Sequence, residues 1–171
     1  MKSKDLVKVF EESIAMEEKG YLFYKESAEK IKNSLGRRML LRLAEDEQTH
    51  IKRIKDIYLH FANGTMGEVR AELYKSAAFE EIFNRMKDQL QEAIGETSAS
   101  AVDDEEIINI ALELESHARF YYEKAAKQSV DIKISEFYKL LAIEEKNHYE
   151  ILQKTNSYLQ NPSLFFGMEY H

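Results

Sequence analysis

Two stretches of the chain, Glu47-Gln48-Thr49-His50 and Glu145-Lys146-Asn147-His148, set a carboxylate and an imidazole at the same spacing. On an α-helix, residues i and i+3 stand about 60° apart around the axis and roughly 4.5 Å apart along it, so both side chains reach one point beside the helix. Imidazole nitrogen and carboxylate oxygen together suit a divalent cation such as iron or manganese, and also cobalt or zinc. One such pair arises by chance in a glutamate-rich helical chain. Two pairs in register, each preceded 30 residues earlier by a further glutamate, Glu17 and Glu115, make a specific signal.

The register extends beyond these six residues. "SIAMEEKGYLFYKESA" at 13–28 is similar to "ALELESHARFYYEKAA" at 111–126, and "LLRLAEDEQTHIKRI" at 40–54 to "YKLLAIEEKNHYEIL" at 138–152. Glu17 and Glu115, Tyr24 and Tyr122, Glu47 and Glu145, and His50 and His148 are each separated by 98 positions. The chain therefore reads as a duplicated helical hairpin, with its polar intrusions duplicated too.

Those intrusions fall where apolar residues would pack better. Stepping by three and four along the second helix gives Leu40, Leu43, Glu47, His50, Ile54, Ile57 and Phe61. The same steps along the first give Val7, Phe10, Ile14, Glu17, Tyr21, Tyr24, Ala28 and Ile31, the period of a buried helical stripe. Four unpaired carboxylates in a core face desolvation and mutual repulsion. Two divalent cations would balance their charge, with the imidazoles completing the donor set. A metal-free bundle with buried Glu–His hydrogen bonds is the plainer alternative, and it leaves an expensive charged cluster uncompensated.

The elements that must position these residues are four long helices, so the fold class is all-α. The first spans about 3 to 32, with Ser3 as N-cap. The second runs from Asn33-Ser34 to the "ANG" exit at 62–64. The third opens at Asp103-Asp104, acids suited to a helix N-terminus, and continues to about Ser129. The fourth starts near Asp131 and ends before Pro162, which disfavours helix at Asn161. The short joins predict two antiparallel hairpins, about 3–62 and 103–160, within one domain covering 1–171. Residues 63–102 are too many for a turn. Within them Phe79, Ile82, Phe83, Met86 and Leu90 predict a shorter amphipathic helix. The tail from 161 to 171, "NPSLFFGMEYH", is aromatic enough to pack on this bundle or a neighbouring subunit.

Composition agrees and excludes alternatives. One proline, six glycines and abundant helix formers argue against a β-sandwich or barrel. A net charge of −7 argues against a nucleic-acid partner. With no cysteine there is no disulfide, no thiolate nucleophile and no Cys-ligated iron or zinc. No signal peptide or membrane span is legible, which predicts a cytoplasmic protein without a membrane partner.

Together "MEEKGYLFY", "EDEQTH", "LESHARFYY" and "EEKNH" make the chain resemble the ferritin-like di-iron proteins, specifically the rubrerythrin group, across all four main helices. The resemblance implies a ferritin-like four-helix bundle, with a glutamate from each of two helices and E-x-x-H from the other two. It implies two iron ions per chain and no haem. Glu17 and His50 would bind one iron, Glu115 and His148 the other, and Glu47 and Glu145 would bridge them. Tyr24 and Tyr122 would hydrogen-bond ligand carboxylates. Two features depart from the group. Its usual extra glutamate, one turn beyond the third-helix ligand, is replaced by Ala118, so His50 is expected to keep its iron in both redox states. The rubredoxin-like domain often appended there needs cysteines, so electrons are expected from an external, rubredoxin-like donor.

On this reading the chain is a peroxide-reducing di-iron oxidoreductase working as a homo-oligomer, a dimer foremost. A ferroxidase or iron-storage protein is the main alternative, and a non-enzymatic metal or oxidant sensor the third. His60, His117 and His171 lack repeated partners and are expected at the surface, with Glu113 and His117 a solvated pair. Glu18, Asp46 and Glu144, each beside a proposed ligand, are expected to point away as surface charges. Arg119, which matches Tyr21 in the repeat, either pairs with a site carboxylate or reaches the surface.

Overall fold

The structure is a computed structural model that describes residues 3–70, 73 and 102–160. Four long helices make it up: α1 Ser3–Lys30, α2 Ser34–Ala62, α3 Val102–Gln128 and α4 Ile132–Gln160. A 3-10 turn, Met66–Glu68, follows α2. The boundaries lie within two residues of those expected. The amphipathic segment 79–90 and the aromatic tail fall outside the described residues. Among the described residues, no helix is long and apolar enough to cross a membrane.

The helix ends follow local chemistry. Asn33 caps α2, its side chain accepting from the Gly36 N–H at 3.0 Å. Gly36 packs closely there, since a Cβ would sit 2.5 Å from Ile31 Cδ1 and that methyl would have to shift. Asp131 caps α4 by accepting from the Ile134 N–H at 3.1 Å. Gly64, at φ +69°, takes the left-handed conformation just beyond α2. Asp104, expected only to favour the start of α3, does more. It is fully buried, and its two oxygens accept from the Lys32 and Asn33 N–H groups at 3.0 Å each. One carboxylate thus ties the second hairpin to the turn of the first.

Helices pack mainly within the pairs α1–α2 and α3–α4, the two hairpins. The apolar core divides into two blocks along the bundle. One contains Ala28, Ile31, Leu40 and Leu43 from the first hairpin, with Ile108, Ala111, Ile151 and Leu152 from the second. The other contains Phe10, Ile54 and Ile57, with Tyr122, Ala125, Ile134, Phe137 and Leu141. Each buried Leu, Ile or Phe side chain contributes about 1.5–3 kcal/mol, so the blocks can support an unfavourable layer between them. Block membership also gives direction: α1 and α4 run one way, α2 and α3 the other. The chain leaves α2 at one end of the bundle and must enter α3 at the opposite end. Helices of 27–29 residues are about 42 Å long. The long connection is a geometric necessity.

The buried stripe of α2 is the expected one, with Phe61 half-buried at its end. On α1 the stripe is rotated slightly. Leu6 and Ser13 are buried, while Val7, Ile14 and Tyr21 are half-buried. Phe10, Glu17, Tyr24, Ala28 and Ile31 keep their inward places.

Candidate metal centre

Glu17, Glu47, His50, Glu115, Glu145 and His148 meet in the layer between the two apolar blocks, each at most 4% exposed. All four helices contribute. His50 Nδ1 lies 3.1 Å from Glu17 Oε2, 3.1 Å from Glu145 Oε1 and 3.6 Å from Glu47 Oε2. His148 Nδ1 lies 3.4 Å from Glu145 Oε2, 3.5 Å from Glu115 Oε2 and 3.9 Å from Glu47 Oε1. Glu47 and Glu145 therefore each present one oxygen to either histidine, whereas Glu17 and Glu115 each serve one. The result is two donor groups, Glu17–Glu47–His50–Glu145 and Glu47–Glu115–Glu145–His148, with donor atoms within 4.8 Å in each. The imidazole rings face one another with centroids 5.5 Å apart and planes 19° apart.

The tyrosine hydroxyls cross between hairpins. Tyr24 of α1 donates to Glu115 Oε1 on α3, and Tyr122 of α3 donates to Glu17 Oε1 on α1. Each tyrosine occupies one oxygen of its glutamate and leaves the other facing a histidine.

Without cations, protons carry the charge balance. Burial, reinforced by the Glu17 and Glu145 charges, pushes the Glu47 carboxyl well above its usual range. Burial and Glu145 raise Glu115 to about 8. Burial also disfavours an anion at Glu145, but His50 and His148 outweigh it and hold that carboxyl well below its usual value. For both histidines burial opposes the cation. Glu145 and Glu17 around His50, and Glu115 and Asp46 around His148, reverse this and raise both well above the ordinary value.

The donor set fits divalent metal. Glu115 Oε2, Glu145 Oε1 and His148 Nδ1 are buried without a hydrogen-bond partner, and all three point into the cluster. Glu145 Oε1 is close to His50 without hydrogen-bond geometry. Buried polar atoms left unsatisfied are expensive in a native fold. Two divalent cations would satisfy these atoms and match four carboxylates in charge, with mixed oxygen and nitrogen donors.

Two residues expected at the surface belong here instead. Glu144 is buried, and its Oε2 lies 3.4 Å from His50 Nε2. Asp46 Oδ2 lies 3.6 Å from His148 Nε2. Each carboxylate stands beside the histidine of the opposite hairpin on the ring edge remote from the cluster, where a ligand histidine's orienting partner sits, although Asp46 Oδ2 makes no hydrogen bond at its 3.6 Å distance. The residue before a seam glutamate is turned 100° around the helix, and on α2 and α4 that direction faces the other hairpin. The burial of Glu144 is offset by Arg53, whose Nη1 donates to both its oxygens at 2.9 and 2.7 Å. Arg53 also donates to the Leu73 carbonyl at 3.1 and 2.9 Å, with its guanidinium over the Phe137 ring. Burial opposes ionisation of both acids, but His50 and Arg53 hold Glu144, and His148 and Arg42 hold Asp46, below the usual carboxylate range. The signal was present: Asp46 and Glu144 are 98 positions apart, like the six cluster residues.

The other expectations divide. Glu18 is exposed and pairs with Lys55 at 3.5 Å. Arg119 pairs with Glu123 at 2.9 Å near the surface, not with a cluster carboxylate. His117 and Glu113 are exposed, whereas His60 is half-buried against the Thr65 hydroxyl at 2.9 Å. His171 lies outside the described residues.

Between α1 and α3 a cavity of about 70 Å³ ends on Glu17, Glu47, Glu115 and Glu145. Its other walls are Met16, Gly20, Tyr24, Leu114, His117 and Ala118. That volume admits a few water-sized molecules. Gly20 and Ala118 are again 98 positions apart, so both hairpins place a small residue one turn beyond the seam glutamate.

No curated protein and no solved structure gave a match to the chain. A family model did: the rubrerythrin model matches residues 8–156, which include every residue of the cluster, its tyrosines and its outer carboxylates. The chain belongs to the rubrerythrin family.

Proposed function

We propose that the protein is a di-iron oxidoreductase that reduces hydrogen peroxide, using electrons from a separate donor protein. The observation that carries this reading is the sharing of Glu47 and Glu145 by two adjacent donor groups, at the floor of a small cavity. Glu17 and His50 would complete one metal position, Glu115 and His148 the other. Two ferrous ions, if bound by these donor groups, would supply two electrons at one place, which favours O–O cleavage without radical release.

The chain's own residues do the positioning. Glu144 and Asp46 orient the imidazoles from behind. Tyr24 and Tyr122 hold Glu115 and Glu17 by their outer oxygens. Burial, with the neighbouring carboxylates adding to it, keeps both phenols protonated far above neutral pH. Met16, Leu114 and Ala118 line the approach and restrict it to small molecules.

Anaerobic titration with ferrous iron tests the reading. Saturation at about two ions per chain is expected, followed by faster oxidation with peroxide than with dioxygen. Glu145→Ala should abolish paired binding, because one carboxylate leaves both donor groups. A variant that still holds both ions at full affinity would contradict the assignment. Faster oxidation by dioxygen, in a large hollow shell instead of a dimer, would shift the reading to a ferroxidase.

A further inference from the structure

The match between the hairpins fails on one flank of the cluster, in a chemically specific way. Tyr24 and Tyr122 are equivalent, and each donates to a cluster glutamate. One position earlier the halves differ: Phe23 stands where the second hairpin has Tyr121. Phe23 packs edge-on to Tyr24 at 5.6 Å between centroids, and Tyr121 edge-on to Tyr122 at 5.9 Å. The Tyr121 hydroxyl donates to Glu12 Oε2 at 2.9 Å and lies 3.3 Å from the Val9 carbonyl oxygen. The position equivalent to Glu12 is Ile110. One flank thus has a phenol with a carboxylate base, the other a phenyl ring and an aliphatic residue.

Glu12 is exposed and also pairs with Lys8 at 3.5 Å, so the path ends at solvent. Tyr138 also contacts Tyr122, stacked at 5.7 Å, but it is fully buried and its hydroxyl partner is Ser13, a poor proton acceptor. A tyrosine serving only to tether α3 to α1 needs the hydroxyl bond alone. The added ring contact makes the path from Glu17 through Tyr122 and Tyr121 to Glu12 continuous.

We propose that Tyr122 and Tyr121 form a one-electron conduit from the cluster to the surface, supporting peroxide-dependent oxidation of small one-electron reductants such as enediols and phenols. This activity rests on the peroxide reading above. Reduction of one H₂O₂ to two waters takes two electrons and two protons. When the metal ions have already given up theirs, each electron leaves Tyr121 by way of Tyr122. The Tyr121 phenolic proton moves to Glu12, leaving a neutral phenoxyl. The external reductant then returns one electron, and Glu12 returns the proton. Two passages oxidise two reductant molecules by one electron each, and the protons for water come from solvent.

Iron-loaded protein, first oxidised by peroxide, then mixed with excess hydrogen peroxide and freeze-quenched, tests the conduit by electron paramagnetic resonance. A tyrosyl signal is expected. It should be lost or change line shape in Tyr121→Phe, fall severalfold in Glu12→Gln and persist in Tyr138→Phe. With ascorbate as the probe, Tyr121→Phe should cut ascorbate-dependent peroxide consumption severalfold. Iron content and the first oxidation of ferrous protein by peroxide should not change. Wild-type protein without a tyrosyl signal overturns the conduit. So do Tyr121→Phe and Glu12→Gln variants that match wild type in both signal and ascorbate oxidation, and in either case the peroxide reading stands. Failure of peroxide to oxidise the ferrous protein overturns both.

Discussion

Glu144 on α4 reaches across the bundle to within 3.4 Å of His50 Nε2 on α2, while Arg53 clasps its two oxygens. His50 is thus held from behind by the opposite hairpin. Glu144→Gln keeps the shape but removes the charge, and should weaken metal binding at the His50 position by about 10–100-fold. Competition titration with a chelator measures this. Glu144→Ala leaves Arg53 buried without its partner and should cost about 3–5 kcal/mol of stability, read from urea unfolding of the metal-free protein.

The crossed tyrosines should act on opposite metal positions. Tyr122→Phe frees a buried oxygen of Glu17, the carboxylate that serves only the His50 group, and Tyr24→Phe does the same to Glu115 beside His148. Each loss should destabilise the metal-free fold by about 1–3 kcal/mol. Stepwise metal titration should show one weakened step per single variant and two in the double variant. Equal weakening of both steps by one substitution would contradict this division.

Stability should respond to pH in opposite directions with and without metal. Glu115 is raised to about 8, so the folded metal-free protein binds a proton that the unfolded chain releases near 4.5. Its contribution is intact below about 4.5 and is lost as pH rises toward 8. The raised histidines act in the same sense, their contribution present below about 6.5 and lost above it. The thermal midpoint of metal-free protein should therefore fall between pH 5 and 8. Metal must displace those protons, so affinity should rise over the same range. Thermal melts of both forms across that range check the sign.

Ala118 and Gly20 keep the cavity open. Ala118→Val should narrow it, slowing oxidation of bound ferrous iron by peroxide while leaving the iron count unchanged. Stopped-flow absorbance with parallel metal analysis separates the two effects. An unchanged rate would mean that the oxidant enters elsewhere.

The six cluster residues were legible because each interrupts an apolar stripe and each is duplicated at one fixed offset. A helical stripe cannot hide a charged residue, and the repeat removes chance. Asp46 and Glu144 carried the same offset but lie off the stripe, where an acidic residue on a soluble helix is unremarkable. Only the neighbouring hairpin turns that face inward. The crossing of Tyr24 to Glu115 and of Tyr122 to Glu17 is likewise a tertiary fact, since the chain alone places each tyrosine two turns from the other glutamate. Asp104 looked like a helix-start residue, and its hold on the Lys32 and Asn33 N–H groups depends on how the hairpins dock. Periodicity alone set the α1 stripe slightly off, preferring Val7 and Ile14 to Leu6 and Ser13, because small polar residues can also face a core.

Each donor group draws on both hairpins, and the tyrosine bonds, the outer carboxylates and the Asp104 latch all cross the same plane. Bound metal would therefore add a cross-link at mid-length between two hairpins that already share their apolar blocks. Its removal leaves a mid-length layer whose charge is balanced by protons on Glu47, Glu115 and the histidines alone, while the apolar blocks on either side keep their own support. The protein should yield at that layer before any helix melts, so iron occupancy would be written into how tightly the two hairpins are clasped.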